Sequence, residues 1–161
     1  MALRRPIPLG QSPFMVLRPF KPADLEILHQ IDTACFPPGI SYSIEELKAF
    51  ITFRNSRTWV AEEKGDIIGF LTAQSTPERS MHIITIDVEE KWRRCGVGKM
   101  LMDAAEEWGR GGGLKLVSLE TAENNLPAQA FYRKRGYKKL GRIERYYADG
   151  APAWVMVKRL G

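Results

Sequence analysis

The sequence is poor in the residues that most often announce chemistry. It has two cysteines and two histidines in 161 residues. Cys35 and Cys95 fall in different segments without metal-site spacing, so reduced thiols, no bound metal and a cytoplasmic setting are expected. No run approaches the roughly 18 apolar residues that a membrane helix needs. The opening "MALRRPIPLGQSPF" carries charge but no apolar block behind it, so it does not read as a secretory signal. Residues 1–13 read as a flexible arm and residues 14–161 as one domain. No internal repeat or low-complexity stretch interrupts that domain. Lys and Arg exceed Asp and Glu by 24 to 19, a net charge of +5. Yet no basic block is interleaved with aromatics, so a nucleic-acid partner is not expected. The charge admits a phosphate-bearing ligand or an acidic peptide without choosing between them.

What is present is a clear alternation of elements. "FMVLRPF" (14–20) reads as a strand. The stretch from Lys21 to Phe36 places Leu25, Leu28, Ile31 and Ala34 on one helical face. "PPG" (37–39) stops it. Ser43, with Glu46 three residues on, opens a second helix in a capping-box pattern. "TWVAEEKGDIIGFLTAQS" reads as a hairpin turning at Lys64–Asp66. "MHIITIDV" (81–88) is almost wholly apolar and reads as a central strand. A helix from Gly96 to Arg110 ends at "GGG" (111–113). "LKLVSLET" is a strand, and "LPAQAFYRKRG" a helix with Pro127 near its start and Gly136 at its stop. "YKKLGRIERYY" and "APAWVMVKRL" read as two final strands turning at Asp149–Gly150. The order is that of an α/β protein with a mixed sheet.

"RRCGVGKM" (93–100) sits between the central strand and the helix after it. Glycines let backbone N–H groups come close to a ligand, and a helix N-terminus attracts anions. It is not a nucleoside-triphosphate loop, because one residue separates Gly96 from Gly98 and Met100 follows Lys99. It lacks the third glycine of a dinucleotide fingerprint. A plain connecting turn also fits these residues taken alone.

Arg93-Arg94-Cys95-Gly96-Val97-Gly98 matches the pattern Arg/Gln-x-x-Gly-x-Gly/Ala. This resembles the acyl-CoA pyrophosphate loop of the GNAT N-acetyltransferase superfamily. The likeness continues in "IDVEEKW" and in "LETAENNLPAQAFYRKRGYKKLGRIERYY", where Leu-Glu, Asn, Ala-x-x-x-Tyr and Gly-aromatic follow in order. It covers roughly residues 14 to 160. "CFPPG", the Leu-Glu pair and the tandem tyrosines resemble most the bacterial ribosomal-protein alanine N-acetyltransferases and other enzymes that acetylate protein N-termini.

The resemblance implies a single-domain mixed sheet of about seven strands with four helices, splayed between the fourth and fifth strands. It implies acetyl-CoA as co-substrate. The amides of Arg94, Cys95, Gly96, Val97, Gly98 and Lys99 would ring the pyrophosphate, and the Lys99 side chain could meet phosphate. The backbone at Ile86, Asp87 and Val88 would pair with the pantetheine arm. Asn125 would bond that arm, cap the following helix, or do both. Tyr132 would stand by the coenzyme sulfur as general acid.

Amine acetylation needs a base, and two candidates are open. Glu120 ends an apolar strand, where poor solvation favours the protonated form. It also precedes Tyr132 by the separation seen in the N-terminal acetyltransferase branch. Histidine as a residue type titrates in the useful range, and His82 sits where other branches keep a base. His29 reads as structural. Phe36, Pro37, Tyr146 and Tyr147 could wall the acceptor groove. The expected acceptor is the α-amine of a peptide or protein N-terminus. A small-molecule amine or a non-catalytic acyl-CoA-binding role are the alternatives, and monomer or homodimer stays open.

Overall fold

A computed structural model describes residues 14–161; the arm expected over residues 1–13 lies outside them. The chain forms β1 (Met15–Pro19), a 3-10 turn (Pro22–Asp24), α1 (Leu25–Cys35), α2 (Ile44–Thr52), β2 (Ser56–Glu63), β3 (Asp66–Ser75) and β4 (Ser80–Val88). A second 3-10 turn (Glu90–Trp92) leads to α3 (Val97–Gly111), β5 (Leu116–Ala122), α4 (Leu126–Lys134), β6 (Lys138–Ile143) and β7 (Ala153–Arg159). The seven strands make one mixed sheet in the order β1-β2-β3-β4-β5-β7-β6. β4 and β5 are parallel, and every other neighbouring pair is antiparallel.

Local chemistry sets the helix starts. The Ser43 hydroxyl accepts from the Glu46 N–H at 3.1 Å, which satisfies one of the free donors of the first turn of α2. Asn125 caps α4 by accepting from the Ala128 N–H at 3.2 Å, with Pro127 in the first turn where its missing N–H is harmless. Pro22 opens a 3-10 turn first, so α1 begins at Leu25 rather than at Lys21.

The sheet buries both faces. On one, Leu28 and Ile31 of α1 and Leu47 and Ile51 of α2 pack on Val60 and Phe70. On the other, Leu101, Met102 and Ala105 of α3 and Tyr132 of α4 pack on Leu71, Ala73, Met81, Ile83, Val117 and Leu119. Each buried aliphatic or aromatic side chain contributes about 1.5–3 kcal/mol. Among the described residues no helix is long and apolar enough to cross a membrane.

The C-terminal hairpin departs from the sequence expectation. β6 ends at Ile143, and Arg145 takes φ +51°, a left-handed conformation that no regular strand accommodates. Tyr146 and Tyr147 therefore belong to a loop, with both N–H groups donating to the Ala151 carbonyl at 3.1 Å. The Asp149–Gly150 turn lies within that loop instead of joining the strands directly: the Gly150 N–H donates to Tyr147 O at 2.8 Å, and the Ala151 N–H to Asp149 Oδ1 at 2.9 Å.

Gly69 of β3 controls how closely β4 approaches. A Cβ there would lie 2.7 Å from the Asp87 carbonyl oxygen and 3.3 Å from Val97 Cγ1. Both neighbours are held, one by the sheet and one by the core. Gly69→Ala is expected to destabilise the protein by about 1–3 kcal/mol through overpacking, read as a lower midpoint in denaturant melts with an unchanged slope.

Candidate active site

The parallel pairing of β4 with β5 covers only Ser80 with Leu116, Met81 with Val117 and His82 with Ser118. Beyond His82 the two strands part. β4 also carries a bulge, because Thr72 of β3 faces Thr85 while Ala73 faces Ile83, leaving Ile84 unmatched. Before the bulge, Met81 and Ile83 enter the core under α3; after it, Ile86 and Val88 lie against that core. Thr85 and Asp87 are buried on the α1–α2 face, in register with Thr72 and Phe70. A cleft of about 430 Å³ opens at the parting.

That cleft gathers residues that the chain keeps far apart. Phe36 and Pro37 from the α1–α2 loop, Glu120 from β5, Asn125 and Tyr132 at α4, and Tyr146 and Tyr147 from the last loop all line it. Val117 and Leu119 enter the α3 core, so Ser118 between them and Glu120 beyond them project to the α1–α2 face. His82 occupies the last paired position of β4, and its Nε2 lies 2.5 Å from Glu120 Oε2. The two candidate bases are thus one contacting pair. Both side chains keep some exposure, 32% for His82 and 19% for Glu120, so water can reach them.

Two phenols, Tyr146 and Tyr147, stand near Glu120, and a third, Tyr132, lines the cleft from α4. Burial, with the Glu120 carboxylate close by, pushes the Tyr146 phenol up to about 12. Tyr147 and Tyr132 are pushed further up, again mainly by burial. All three are therefore protonated near neutral pH and able to donate. The rings of Tyr146 and Tyr147 meet edge to face at 4.8 Å. Their loop also touches the opposite wall. The Ala148 N–H donates to the Gly39 carbonyl at 3.1 Å, so the two loops close over one end of the cleft. Gly39 has φ +92°, and a Cβ there would lie 3.3 Å from the Asp149 nitrogen.

The glycine loop presents open donors. Arg94 and Gly96 have φ +60° and +85°, and the first bond of α3 runs from the Met100 N–H to Gly96 O at 3.0 Å. Among the described residues, none of the N–H groups from Arg94 to Lys99, Cys95 and Val97 included, donates to a backbone carbonyl. Six consecutive donors at a helix N-terminus form an anion cradle. Gly98 has no side chain to hold off the Phe131 ring, which sits 3.4 Å from where its Cβ would be. Lys99 Nζ is engaged by Asp103 at 2.7 Å, and Arg93 Nε donates to the Val88 carbonyl at 3.3 Å.

The open edge of β4 is partly capped. Its Ile84 carbonyl accepts from the Tyr42 hydroxyl at 3.4 Å, and its Val88 carbonyl from the Cys35 thiol at 3.3 Å. By strand alternation the Ile86 peptide faces the same gap between them, while Asp87 faces β3. Tyr42, Cys35 and Asp149 line the cleft as well. Nothing in residue type or spacing marks any of the three as lining a site. Spacing does mark Gln129, because it lies one helical turn before Tyr132. Buried, it donates to the carbonyls of Ala122 at 3.1 Å and Glu123 at 2.8 Å, tying the end of β5 to α4.

Known proteins share this arrangement. Residues 25–137 match the model of the acetyltransferase (GNAT) family. An N-alpha-acetyltransferase of Sulfurisphaera tokodaii is 28% identical over 85% of this chain and 88% of its own. Ard1 of Thermoplasma volcanium superposes with a TM-score of 0.83 at 27% identity, over 91% of this chain and 97% of its own. The Escherichia coli ribosomal-protein-S18-alanine N-acetyltransferase shares the fold, with a TM-score of 0.82 at 18% identity over 91% and 94% of the two chains. Arabidopsis thaliana NAA60, solved with acetyl-CoA, does so with a TM-score of 0.78 at 23% identity over 90% and 98%. A sheet parted beside an anion cradle, found in a chain that matches the family model over most of its length, has one consistent account: this protein belongs to the GNAT acetyltransferase family, and acetyl-CoA is its co-substrate.

Proposed function

We propose that this enzyme acetylates the α-amine of a peptide or protein N-terminus. The observation that carries the reading is the His82–Glu120 contact on the α1–α2 side of the parted strands, with Tyr132 entering the same cleft from α4. A base and an acid then serve one reaction from opposite sides of the sheet. Two further findings support the peptide acceptor. The hydrogen-bonded loops at Gly39 and Ala148 narrow the mouth, which favours a chain end over a lysine within a folded segment. Several relatives of similar length are N-alpha-acetyltransferases.

Bound in the gap, acetyl-CoA supplies an acetyl group activated as a thioester. The cradle from Arg94 to Lys99 holds its pyrophosphate, and the Ile86 peptide pairs with its pantetheine arm. Asn125, already capping α4, offers its amide to the same arm. On the acceptor side, Phe36, Pro37, Tyr146 and Tyr147 align the amine. A free α-amine has a pKa near 7.7–8.0, so removing its proton asks little of the base. Glu120 takes that proton through His82 or an ordered water, and His82 shares the positive charge. The amine attacks the carbonyl directly and forms the amide bond as the carbon–sulfur bond breaks. Tyr132, protonated because it is buried, gives its proton to the leaving sulfur. Much of the rate comes from alignment itself.

Three measurements test this reading. Thiol release in the presence of free N-terminal peptides, compared with the same peptides blocked at the N-terminus and with polyamines, is expected only for the free peptides. Turnover of blocked, lysine-containing peptides or of polyamines instead would overturn the acceptor. Glu120→Gln is expected to lower kcat about 10²-fold. The Glu120→Gln/His82→Gln double variant should lose little more than the worse single, because the pair acts as a unit; fully multiplicative losses would separate them. Tyr132→Phe is expected to lower kcat by about 10²-fold and leave the acetyl-CoA dissociation constant within about threefold. An unchanged rate removes Tyr132 as acid.

A further inference from the structure

Two acidic side chains near the cleft have no part in the chemistry above. Asp32 of α1 is 0% exposed and Asp87 of β4 is 1% exposed. Asp32 Oδ2 accepts from the Tyr42 N–H at 2.7 Å, and Asp87 Oδ1 accepts from the Thr85 hydroxyl at 2.6 Å. The remaining oxygens, Asp32 Oδ1 and Asp87 Oδ2, are buried without a partner. The two carboxyls act directly on each other. Other titratable groups face them from every side: His29 and Cys35 of α1, Glu46 of α2, Tyr42 of the α1–α2 loop, Arg93 after β4, and Tyr132 of α4. Arg93, the cation nearest to Asp87, turns its Nε to the Val88 carbonyl instead.

Two carboxyls buried against each other, neither hydrogen-bonded to a cation, do not both stay ionised. Burial pushes both upward, and Asp87, with Asp32 beside it, goes well above the usual carboxylate range. One proton placed between the two unpartnered oxygens removes the repulsion and satisfies both atoms. The consequence reaches the acceptor wall. Asp32 fixes Tyr42, the Tyr42 hydroxyl caps the Ile84 carbonyl, and Cys35 caps Val88. Phe36, Pro37 and Ile40 line the cleft from the loop so held.

We propose that Asp32 and Asp87 form a single-proton clasp that fastens the α1–α2 loop to β4, and that this clasp positions the acceptor. The kinetic part rests on the acceptor reading above. Stability from the clasp is complete below the ordinary carboxylate range, near pH 4. It is lost as pH rises toward the raised value of Asp87, where the shared proton leaves.

The infrared spectrum of the parent at pH 7 is expected to show a carboxylic-acid carbonyl band that Asp87→Asn lacks. The asparagine amide stands in for the protonated carboxyl. Asp87→Asn should therefore keep the acetyl-CoA dissociation constant and the acceptor KM within about threefold of the parent, and its melting midpoint should gain on the parent's as pH rises. Asp32→Ala should raise the KM of an N-terminal peptide about tenfold, with kcat and acetyl-CoA affinity within about threefold. Absence of the band, an Asp87→Asn variant as impaired as Asp32→Ala, or an unchanged KM in Asp32→Ala would each overturn the clasp. Should Asp32→Ala fail to fold, the infrared comparison decides. It needs no acceptor, so a protein that shows the band yet acetylates no peptide supports the clasp and overturns only the acceptor assignment.

Discussion

The whole site depends on where two strands stop pairing. A parallel ladder that ran the length of β4 and β5 would satisfy every backbone group and seal the sheet. Here it ends at His82 and Ser118, and the rest of β4 becomes an open edge in the middle of the protein. Unpaired backbone groups away from water are expensive, so such an edge persists only if other groups meet it. The Tyr42 hydroxyl and the Cys35 thiol meet it at Ile84 and Val88. The Ile86 peptide between them faces the same gap. The same parting connects the two faces of the sheet. The polar His82–Glu120 pair on one side and the largely apolar α3–α4 side on the other share one cleft.

That geometry also explains why the glycine loop stands where it does. The 3-10 turn at Glu90–Trp92 and the left-handed residues Arg94 and Gly96 carry the chain from the end of β4 into α3. The helix thus starts just past the open edge of β4, and the unpaired N–H groups from Arg94 to Lys99 gather partial positive charge at its start. Gln129 does the matching work on the other strand by tying the end of β5 to α4. Each parted strand is held open by the helix that follows it.

Much of this was legible in the sequence, for physical reasons that differ by element. β4 showed itself as a long apolar run because it is central, with buried and half-buried residues alternating along it, and α3 and α4 through their periodicity and their glycine and proline punctuation. The glycine loop was legible because φ above zero and close backbone approach leave a mark on residue type. The family resemblance singles out Glu120, His82 and Tyr132; Glu120 and Tyr132 line one cleft, and His82 touches Glu120. What could not be read was that His82 and Glu120 touch, since that depends on the register of one parallel pair. Tyr146 and Tyr147 were placed on a strand because their flanks have strand-like composition; the left-handed Arg145 that ends β6 is not a residue that composition flags. Nothing in its own segment marks Asp32, and Asp87 entered only as a backbone position beside Ile86 and Val88. Only the packing of α1 on β4 brings them together.

The protein buries acidic groups in two opposite ways, and the contrast shows what each place needs. Glu106 of α3 is 2% exposed, but its oxygens accept from Arg135 at 2.7 Å, Tyr137 at 2.9 Å and Lys158 at 3.0 Å. Two cations and a phenol compensate the burial, and removing one partner of so buried a group costs about 3–5 kcal/mol. That cluster pins α3 to the end of α4 and to β7, away from the cleft, where nothing needs to move. Asp32 and Asp87 have no such cations and hold each other. A cation at their position would place a fixed positive charge beneath the loop that lines the cleft. A shared proton avoids that field and still fastens the loop. On the clasp proposed above, the difference in chemistry follows from place: ion pairs secure the scaffold, and a neutralised pair secures the loop beside the cleft.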